Sequence, residues 1–223
     1  PSGTAASRGS EAQRERVLSV EEWLRKWSAG ATGFHKEHRH PLLQKHLDLL
    51  VDGRNGLRIF FPLCGKAVDM KWLADMGHSV VGVDVSEQAL KEFFADQCLP
   101  YCEEPVPGIS GAKKLQVCLL HFVGKFDGVW DRGALVAVNP CDRQRSVNLL
   151  GCCFSLMHPV TLFFTIFFPG PPFYVPESEV KSLFGKYQCE IKCLQKVNDF
   201  SDKHKQWGLD YFLEVMYLIK FVA

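Results

Sequence analysis

The sequence lacks an excess of either charge. Its 26 Lys and Arg residues nearly balance its 25 Asp and Glu residues. Without a strong net field, electrostatic attraction gives no reason to expect binding to nucleic acid or to an anionic membrane. We therefore expect a small-molecule ligand, with neither nucleic acid nor a membrane as a partner.

The nine cysteines lack the spacing of a metal site or a disulfide framework. There is no CxxC pair, and no cysteine pair combines with histidines at zinc-finger spacing. Four histidines lie close together in sequence, but no cysteine or carboxylate shares their spacing: His35, His38, His40 and His46. No secretory signal peptide is recognisable, so we expect reduced cysteines, no bound metal and a cytoplasmic protein.

One run of the chain contains no charged residue and is long enough to raise the question of a membrane helix. It extends over residues 149–168 (LLGCCFSLMHPVTLFFTIFF), close to the roughly 20 residues that cross a bilayer. Pro159 interrupts the run, and the β-branched and aromatic residues that follow are typical of a strand buried on both faces of a sheet. We interpret the run as a helix end, a turn and a central strand.

The length of the chain suits a single domain. With 223 residues, it can bury the core of one α/β domain but is too short for two catalytic domains. Residues 1–16 are polar and small, so we expect a disordered tail there and the folded domain over residues 17–223. No long heptad pattern is present, which favours a monomer.

Strand and helix patterns alternate along this domain. A capping box at Ser19 and Glu22 predicts a helix from about Val20 to Gly30, and a second helix is expected from Pro41 to Leu50. Strands are predicted at 57–63, 78–85, 126–130, 160–168, 190–197 and 211–220, with further helices after each of the first two strands and over 177–184. This order predicts an α/β fold with a doubly wound, mostly parallel sheet, whose last two strands pair antiparallel at one edge.

A glycine and an acid follow the first two strands. In a doubly wound sheet, ligands bind at the carboxyl ends of the strands, where strand order reverses. Gly65 allows a ligand to approach the backbone closely, and Asp84, about twenty residues further on, can accept hydrogen bonds from a ribose diol. The pair indicates a cofactor that contains adenosine. Both nicotinamide cofactors and S-adenosylmethionine fit, but no GxGxxG motif for a pyrophosphate is present.

Six segments of the chain resemble successive segments of the thiopurine S-methyltransferase family, in the same order. They are VLSVEEWLRKW, GFHKEH, LRIFFPLCGKAVDMKWLADMGHSVVGVDVSE, GKFDGVWDRGALVAVNP, PGPPFYVP and HKQWGLD. Together they cover most of residues 17–220, and FFPLCGK and WDRGAL are the most specific. The resemblance implies a class I, Rossmann-like methyltransferase sheet of the seven-strand type. It also implies S-adenosylmethionine as cofactor and S-methylation of aromatic and heterocyclic thiols such as thiopurines.

The resemblance also implies which residues form the site. Seven positions match cofactor-binding residues: Trp23, Trp27, Phe34, Leu63, Gly65, Asp84 and Arg132. Three match substrate contacts: Phe34, Arg132 and Lys203, where Lys203 stands in place of an arginine and lacks its planar fork.

The chemistry of these residue types fits such a site. Aromatic faces such as those of Trp27 and Phe34 can stabilise a sulfonium cation, and we expect Phe173 and Tyr174 to shape an apolar substrate pocket beside Phe34. Aromatic thiols ionise readily, so we expect positioning to supply the rate without a dedicated base. His35 is the nearest candidate base.

Two segments depart from the family pattern. Residues 109–123 are shorter than the family region that provides a strand and an adenine contact, and residues 142–169 lack a longer polar helix and a strand ending near Tyr-Asp-Pro. These differences leave open whether the middle strands of the sheet are complete. They also leave two hypotheses beside each other, an active thiol methyltransferase and a catalytically impaired or silent relative. A nicotinamide-dependent oxidoreductase is disfavoured by the absent phosphate loop.

Overall fold

The structure is a computed structural model that describes residues 17–117, 124–153, 160–166, 173–206 and 212–221. The predicted tail at residues 1–16 lies outside these ranges, as do residues 118–123 of the first departing segment.

Helices and strands alternate through most of the described chain. The helices are α1 (Val20–Ser28), α2 (Pro41–Lys45), α3 (Leu47–Val51), α4 (Val68–Asp75), α5 (Glu87–Asp96), α6 (Ala134–Ala137), α7 (Arg143–Cys153), α8 (Glu177–Phe184) and α9 (Asp202–Gln206). The strands are β1 (Arg58–Pro62), β2 (Ser79–Val83), β3 (Cys102–Pro105), β4 (Lys113–Gln116), β5 (Gly128–Arg132), β6 (Val160–Ile166), β7 (Cys189–Asn198) and β8 (Leu213–Phe221).

The main sheet has the strand order β2-β1-β5-β6-β8-β7. Strands β2, β1, β5 and β6 are joined by parallel pairings, whereas β8 runs antiparallel to both β6 and β7. The predicted α/β sheet with an antiparallel edge is therefore confirmed. In the described part of the chain this sheet has six strands, and the outer side of β2 has no strand beside it.

Helix α1 begins where the sequence predicts it. The Ser19 hydroxyl accepts a hydrogen bond from the Glu22 backbone N–H (3.3 Å), and the Glu22 carboxylate accepts one from the Ser19 N–H (2.8 Å). This reciprocal pair satisfies two backbone donors that the first turn of a helix otherwise leaves free.

The predicted continuous helix from Pro41 to Leu50 is wrong in one respect. The backbone leaves helical geometry at His46 (φ −112°, ψ 17°), which separates α2 from α3. The His46 ring lies 3.1 Å from the side-chain oxygen of Gln195 in β7. A tertiary contact thus coincides with the interruption of the helical period that the sequence shows.

A two-stranded antiparallel hairpin, β3–β4, was not predicted. Ion pairs connect it to α5, because Lys113 contacts both Glu87 and Glu103. The expectation of reduced cysteines is wrong at Cys102, which takes part in a disulfide. Seven other cysteines carry free thiols: Cys64, Cys98, Cys141, Cys152, Cys153, Cys189 and Cys193.

The uncharged run at residues 149–168 divides into two elements. Residues 149–153 end α7, and residues 160–166 form β6, which pairs on both sides within the sheet. The helix-and-strand interpretation is confirmed for these residues, while 154–159 and 167–168 lie outside the described ranges. Among the described helices, none is long and apolar enough to cross a membrane.

Apolar clusters surround the sheet, and two of them are large. One contains Leu43, Leu50, Ile59 and Leu73, all fully buried, and the other contains Val180 and Ile219. Complete burial of a leucine or isoleucine side chain contributes roughly 1.5–3 kcal/mol relative to exposure. These clusters hold the sheet rigid and fix the positions of the loops at the carboxyl ends of its strands.

Candidate active site

A cavity of about 610 Å³ lies at the carboxyl ends of β1, β2 and β5. This volume falls within the range of small-molecule sites. All seven positions predicted to bind the cofactor line the cavity: Trp23, Trp27, Phe34, Leu63, Gly65, Asp84 and Arg132. The fold therefore brings together residues from four separated parts of the sequence.

The turn after β1 forms one wall of the cavity. Leu63 and Gly65 both have positive φ angles, 42° and 51°, a conformation that glycine adopts at little cost. A Cβ atom on Gly65 would lie only 3.0 Å from the Trp27 ring. Gly65 is thus required both by its backbone angle and by the close approach of an indole.

Asp84 connects this turn to the one after β2. Its carboxylate accepts hydrogen bonds from the backbone N–H groups of Gly65 and Ser86, each at 2.8 Å. Burial raises the pKa of Asp84 from its ordinary value, and the backbone hydrogen bonds act in the opposite direction. Each carboxylate oxygen has two lone pairs, so Asp84 keeps acceptor capacity for a ligand.

Aromatic rings from α1 and the following loop cover the cavity. The Phe34 ring packs edge to face against Trp23 (5.9 Å between ring centroids) and Trp27 (5.6 Å). Trp27 is buried, whereas Trp23 and Phe34 are half-buried. Helix α1 and the loop through Phe34 therefore form a covering segment with an aromatic inner surface.

Four hydrogen bonds fasten this covering segment to the rest of the domain. The Asn139 side chain both accepts from the Leu18 N–H (2.8 Å) and donates to the Leu18 carbonyl (3.0 Å). The Gln88 amide donates to the Trp27 carbonyl, and Arg132 donates to the Phe34 carbonyl. Sequence reasoning identified Arg132 but not Asn139.

Arg132 is the last residue of β5. Its Nη1 donates to the Phe34 carbonyl at 2.6 Å, and its Nε is buried without a hydrogen-bond partner among the described residues. Burial lowers the pKa of Arg132, while the negative charges of Glu214, Asp69 and Asp199 act in the opposite direction. Because arginine has an intrinsic pKa above 12, the guanidinium stays charged and can bind an anionic ligand group.

Asp69 and His40 form a buried polar pair beside Arg132. The Asp69 carboxylate accepts a hydrogen bond from the His40 backbone N–H at 2.9 Å, and His40 Nδ1 accepts one from the Leu42 N–H. Burial lowers the pKa of His40 to about 3, with smaller effects from Arg132 and Lys36. His40 is therefore neutral at pH 7 and serves as the N-cap of α2.

The far wall of the cavity contains residues that sequence reasoning missed. Glu214 in β8 is only 6% exposed, and burial raises the pKa of its carboxyl. His204 stacks on Phe212 with 3.9 Å between ring centroids, and its Nδ1 accepts from the Ser201 N–H. A lone acid within the apolar stretch YFLEVMYLI was the available signal for Glu214.

The remaining predicted site residues have different outcomes. Lys203 lies in α9, but its side chain is outside the described part, so its substrate role stays a prediction. His35 lines the cavity, and burial lowers its pKa. Phe173 is fully buried, and neither it nor Tyr174 is among the residues that line the cavity, so their predicted place in the pocket is not confirmed. Among described side chains, no group of three or more His, Cys, Asp and Glu residues is arranged to hold a metal.

Solved structures with the same fold are S-adenosylmethionine-dependent methyltransferases. The enzyme from Anabaena variabilis has a TM-score of 0.64 at 13% identity and covers 93% of this chain and 96% of its own. The 1,6-didemethyltoxoflavin-N1-methyltransferase from Burkholderia thailandensis, solved with S-adenosylhomocysteine, has a TM-score of 0.55 at 14% identity, covering 100% and 92%. At these identities the likeness establishes the Rossmann-like methyltransferase fold.

Sequence relatives are much closer. Thiopurine S-methyltransferase of Canis lupus familiaris is 50% identical over 226 residues, covering 93% of this chain and 92% of the relative. The enzyme of Oryctolagus cuniculus is 49% identical over 227 residues, covering 94% and 92%. The family model described as thiopurine S-methyltransferase matches residues 18–221. The chain therefore belongs to the thiopurine S-methyltransferase family.

Proposed function

We propose that this protein transfers the methyl group of S-adenosylmethionine to the sulfur of aromatic and heterocyclic thiols, thiopurines among them. Membership of the family over residues 18–221 carries this proposal, because the match includes every residue predicted to line the cofactor site. The relatives and the fold give no support to a nicotinamide enzyme or to an impaired relative.

The cavity residues fit the chemical groups of S-adenosylmethionine. When bound, the cofactor supplies an electrophilic methyl group on a sulfonium ion. Asp84 has acceptor capacity for ribose hydroxyls beyond its two backbone hydrogen bonds. The edge-packed rings of Trp27 and Phe34 offer aromatic surface for a cation and exclude water.

Arg132 supplies the positive charge of the site. Its buried Nε lacks a partner among the described residues, which suits an anion such as a thiolate or a carboxylate. The hydrogen bond from Arg132 to the Phe34 carbonyl holds the covering segment and the guanidinium in one arrangement. We therefore assign Arg132 to orientation of the substrate and of the cofactor carboxylate.

No side chain is needed as a general base. An aromatic thiol ionises readily, and the thiolate is already nucleophilic. His40 is held neutral by burial and serves as a helix cap, and burial likewise lowers the pKa of His35. Orientation inside a dry cavity and electrostatic stabilisation are sufficient sources of rate.

A direct test is methyl transfer by the purified chain from radiolabelled S-adenosylmethionine to a thiopurine, with the product identified by mass spectrometry. Absence of S-methylated product would refute the proposal.

A second test concerns the role of Arg132 in binding the substrate. Arg132→Lys should lower turnover of an anionic thiopurine more than that of a neutral thiophenol, because only the anion uses the planar fork. Equal losses would instead assign Arg132 to the cofactor or to the fold.

Several finer features belong to the same proposal. We infer a domain over residues 17–223, a sheet of the seven-strand type, a monomeric state and a cytoplasmic location. The absence of a long heptad pattern supports the monomer. Seven described cysteines with free thiols are compatible with a reducing compartment, whereas the disulfide at Cys102 is not typical of one. Sedimentation of the purified protein tests the oligomeric state.

A further inference from the structure

Glu214 and Arg132 reach the cavity from opposite sides of β6. In the sheet register, Arg132 pairs with Phe164, and Glu214 pairs with Ile166, two residues further towards the carboxyl end of β6. Both residues line the cavity. A buried carboxylate and a half-buried guanidinium therefore face the same space.

Glu214 has no hydrogen-bond donor of its own in the described part of the chain. It is 6% exposed, and its surroundings act on it through space: Lys36 and Arg132 attract the charge, and Asp199 repels it. Lys36 itself is engaged by Asp199 at 3.1 Å. The Glu214 side chain lines the cavity, so a ligand in the cavity can supply the hydrogen-bond donor that the described residues do not.

Strand pairing engages the backbone of Glu214 but not its side chain. Its backbone is already paired with β6 and β7 on the two sides, and its side chain contributes no ion pair within 4 Å in the described residues. Phe212 lies two residues before it and lines the same wall. A ligand group that combines a flat apolar ring with a polar N–H or O–H donor would fit this wall.

We propose that Glu214 determines substrate specificity by accepting a hydrogen bond from a ring N–H of a heterocyclic thiolate, while Arg132 faces the anionic sulfur of the same ligand. This inference rests on the proposed function and names a residue that selects among its substrates. An ionised thiopurine keeps the N–H of its imidazole ring, whereas simple thiophenols carry no ring N–H. Glu214 should therefore strengthen the binding of thiopurines and have no effect on the binding of thiophenols.

The test is a calorimetric comparison of ligand binding in the presence of S-adenosylhomocysteine. Glu214→Gln should weaken binding of 6-thiopurine roughly tenfold or more, the usual effect of losing a hydrogen bond to a charged group. Binding of thiophenol should change less than twofold in the same variant, which also reports that the variant is folded. Equal weakening of both ligands, or no change in either, would overturn the assignment.

Asp199→Asn is the matched control. It removes one negative charge from the same cavity, but from a carboxylate that is 46% exposed and already paired with Lys36. If Asp199→Asn reproduces the selective loss, the effect reflects net charge and the assignment to Glu214 is wrong. If Glu214→Gln weakens the binding of S-adenosylhomocysteine itself tenfold, Glu214 binds the cofactor. This result would also overturn the proposal.

The unmodified protein gives an independent test that needs no variant. Thiopurines methylated at individual ring nitrogens should bind less tightly than 6-thiopurine at one position at least, and identical affinities for all would contradict the proposal. A protein that binds 6-thiopurine selectively through Glu214 but forms no methylated product would refute the proposed function and leave this inference standing.

Discussion

The two ends of the cavity are built in different ways. At the end formed by β1 and β2, the polar groups are satisfied by neighbouring backbone, since Asp84 accepts from Gly65 and Ser86. At the end formed by β5 and β8, Glu214 is buried and Arg132 is half-buried, and their charges offset one another mainly through space. The first end is preorganised by local geometry, and the second by the balance of charges.

The difference predicts where the molecule is sensitive to substitution. Changes at the β1–β2 end should mainly affect ligand binding, because the backbone there is fixed by short-range contacts. Changes at the β5–β8 end should also affect folding, because each buried charge compensates another.

The largest effect is expected at Arg132. Arg132→Met removes the cation that offsets Asp69 and Glu214 and keeps much of the side-chain volume. We expect the free energy of unfolding at pH 7 to fall by about 3 kcal/mol, the low end for breaking a buried charge arrangement. Urea denaturation measures this change.

Two further variants show whether the loss of charge balance causes the lower stability of Arg132→Met. Adding Glu214→Gln to Arg132→Met should recover part of the lost stability, because one uncompensated carboxylate is then gone. Arg145→Met, the same replacement at an exposed position of α7, should change stability by less than about 0.5 kcal/mol. A double variant that is less stable than Arg132→Met would contradict the charge-balance explanation.

At the opposite end, Asp84→Ala should weaken binding of S-adenosylmethionine by about 2 kcal/mol. The substitution leaves ribose hydroxyls and two backbone N–H groups without their acceptor. Calorimetry measures the affinity, and Asp75→Ala, which removes a half-exposed carboxylate bound to Lys71, should leave it unchanged. Unaltered affinity in Asp84→Ala would remove Asp84 from the ribose role.

Gly65→Ala should have a smaller effect of about 1 kcal/mol on the free energy of unfolding. The positive φ of 51° is unfavourable for alanine, and the new Cβ would lie 3.0 Å from the Trp27 ring. Gly56→Ala is a matched control, since Gly56 has a φ of 64° with no atom within 4 Å of the added Cβ. If both variants lose the same stability, the contact with Trp27 contributes nothing.

The β1–β2 end of the site could be predicted from the sequence because its signals are local. A capping box identified the start of α1, and a glycine and an acid after successive strands identified the positions of Gly65 and Asp84. Such patterns depend on residues a few positions apart, or on one strand–helix–strand unit, where the backbone geometry is narrowly defined.

The β5–β8 end could not be predicted because its partners are distant in sequence. The role of Asp69 is recognisable only from the hydrogen bond that it accepts from His40. The role of Glu214 is recognisable only from the sheet, in which β8 brings it to the same cavity as Arg132. The interruption at His46 likewise coincides with a contact to Gln195, about 150 residues away. Fold class follows from the alternation of patterns, whereas the buried charges of this end require tertiary structure.

The smallest effect concerns the neutral histidine at this end of the cavity. Burial lowers the pKa of His40 from 6.5 to about 3, and the charges of Arg132 and Lys36 act in the same direction. Between these two pH values the unfolded chain binds a proton that the folded chain excludes. The contribution of His40 to stability is therefore complete above pH 6.5 and is lost progressively as the pH falls towards 3.

At pH 6 this linkage should lower the free energy of unfolding by about 0.8 kcal/mol relative to pH 8. His40→Asn keeps a side chain that can cap α2 but cannot titrate, so its stability should fall less over this interval. His38→Asn, at an exposed position two residues earlier, should retain the full pH dependence. Urea denaturation at pH 8 and pH 6 measures this change in the unmodified protein and in both variants. If His40→Asn loses as much stability as the unmodified protein, the proton that destabilises the fold binds elsewhere, and the buried charges around Arg132 tolerate acid better than their burial implies.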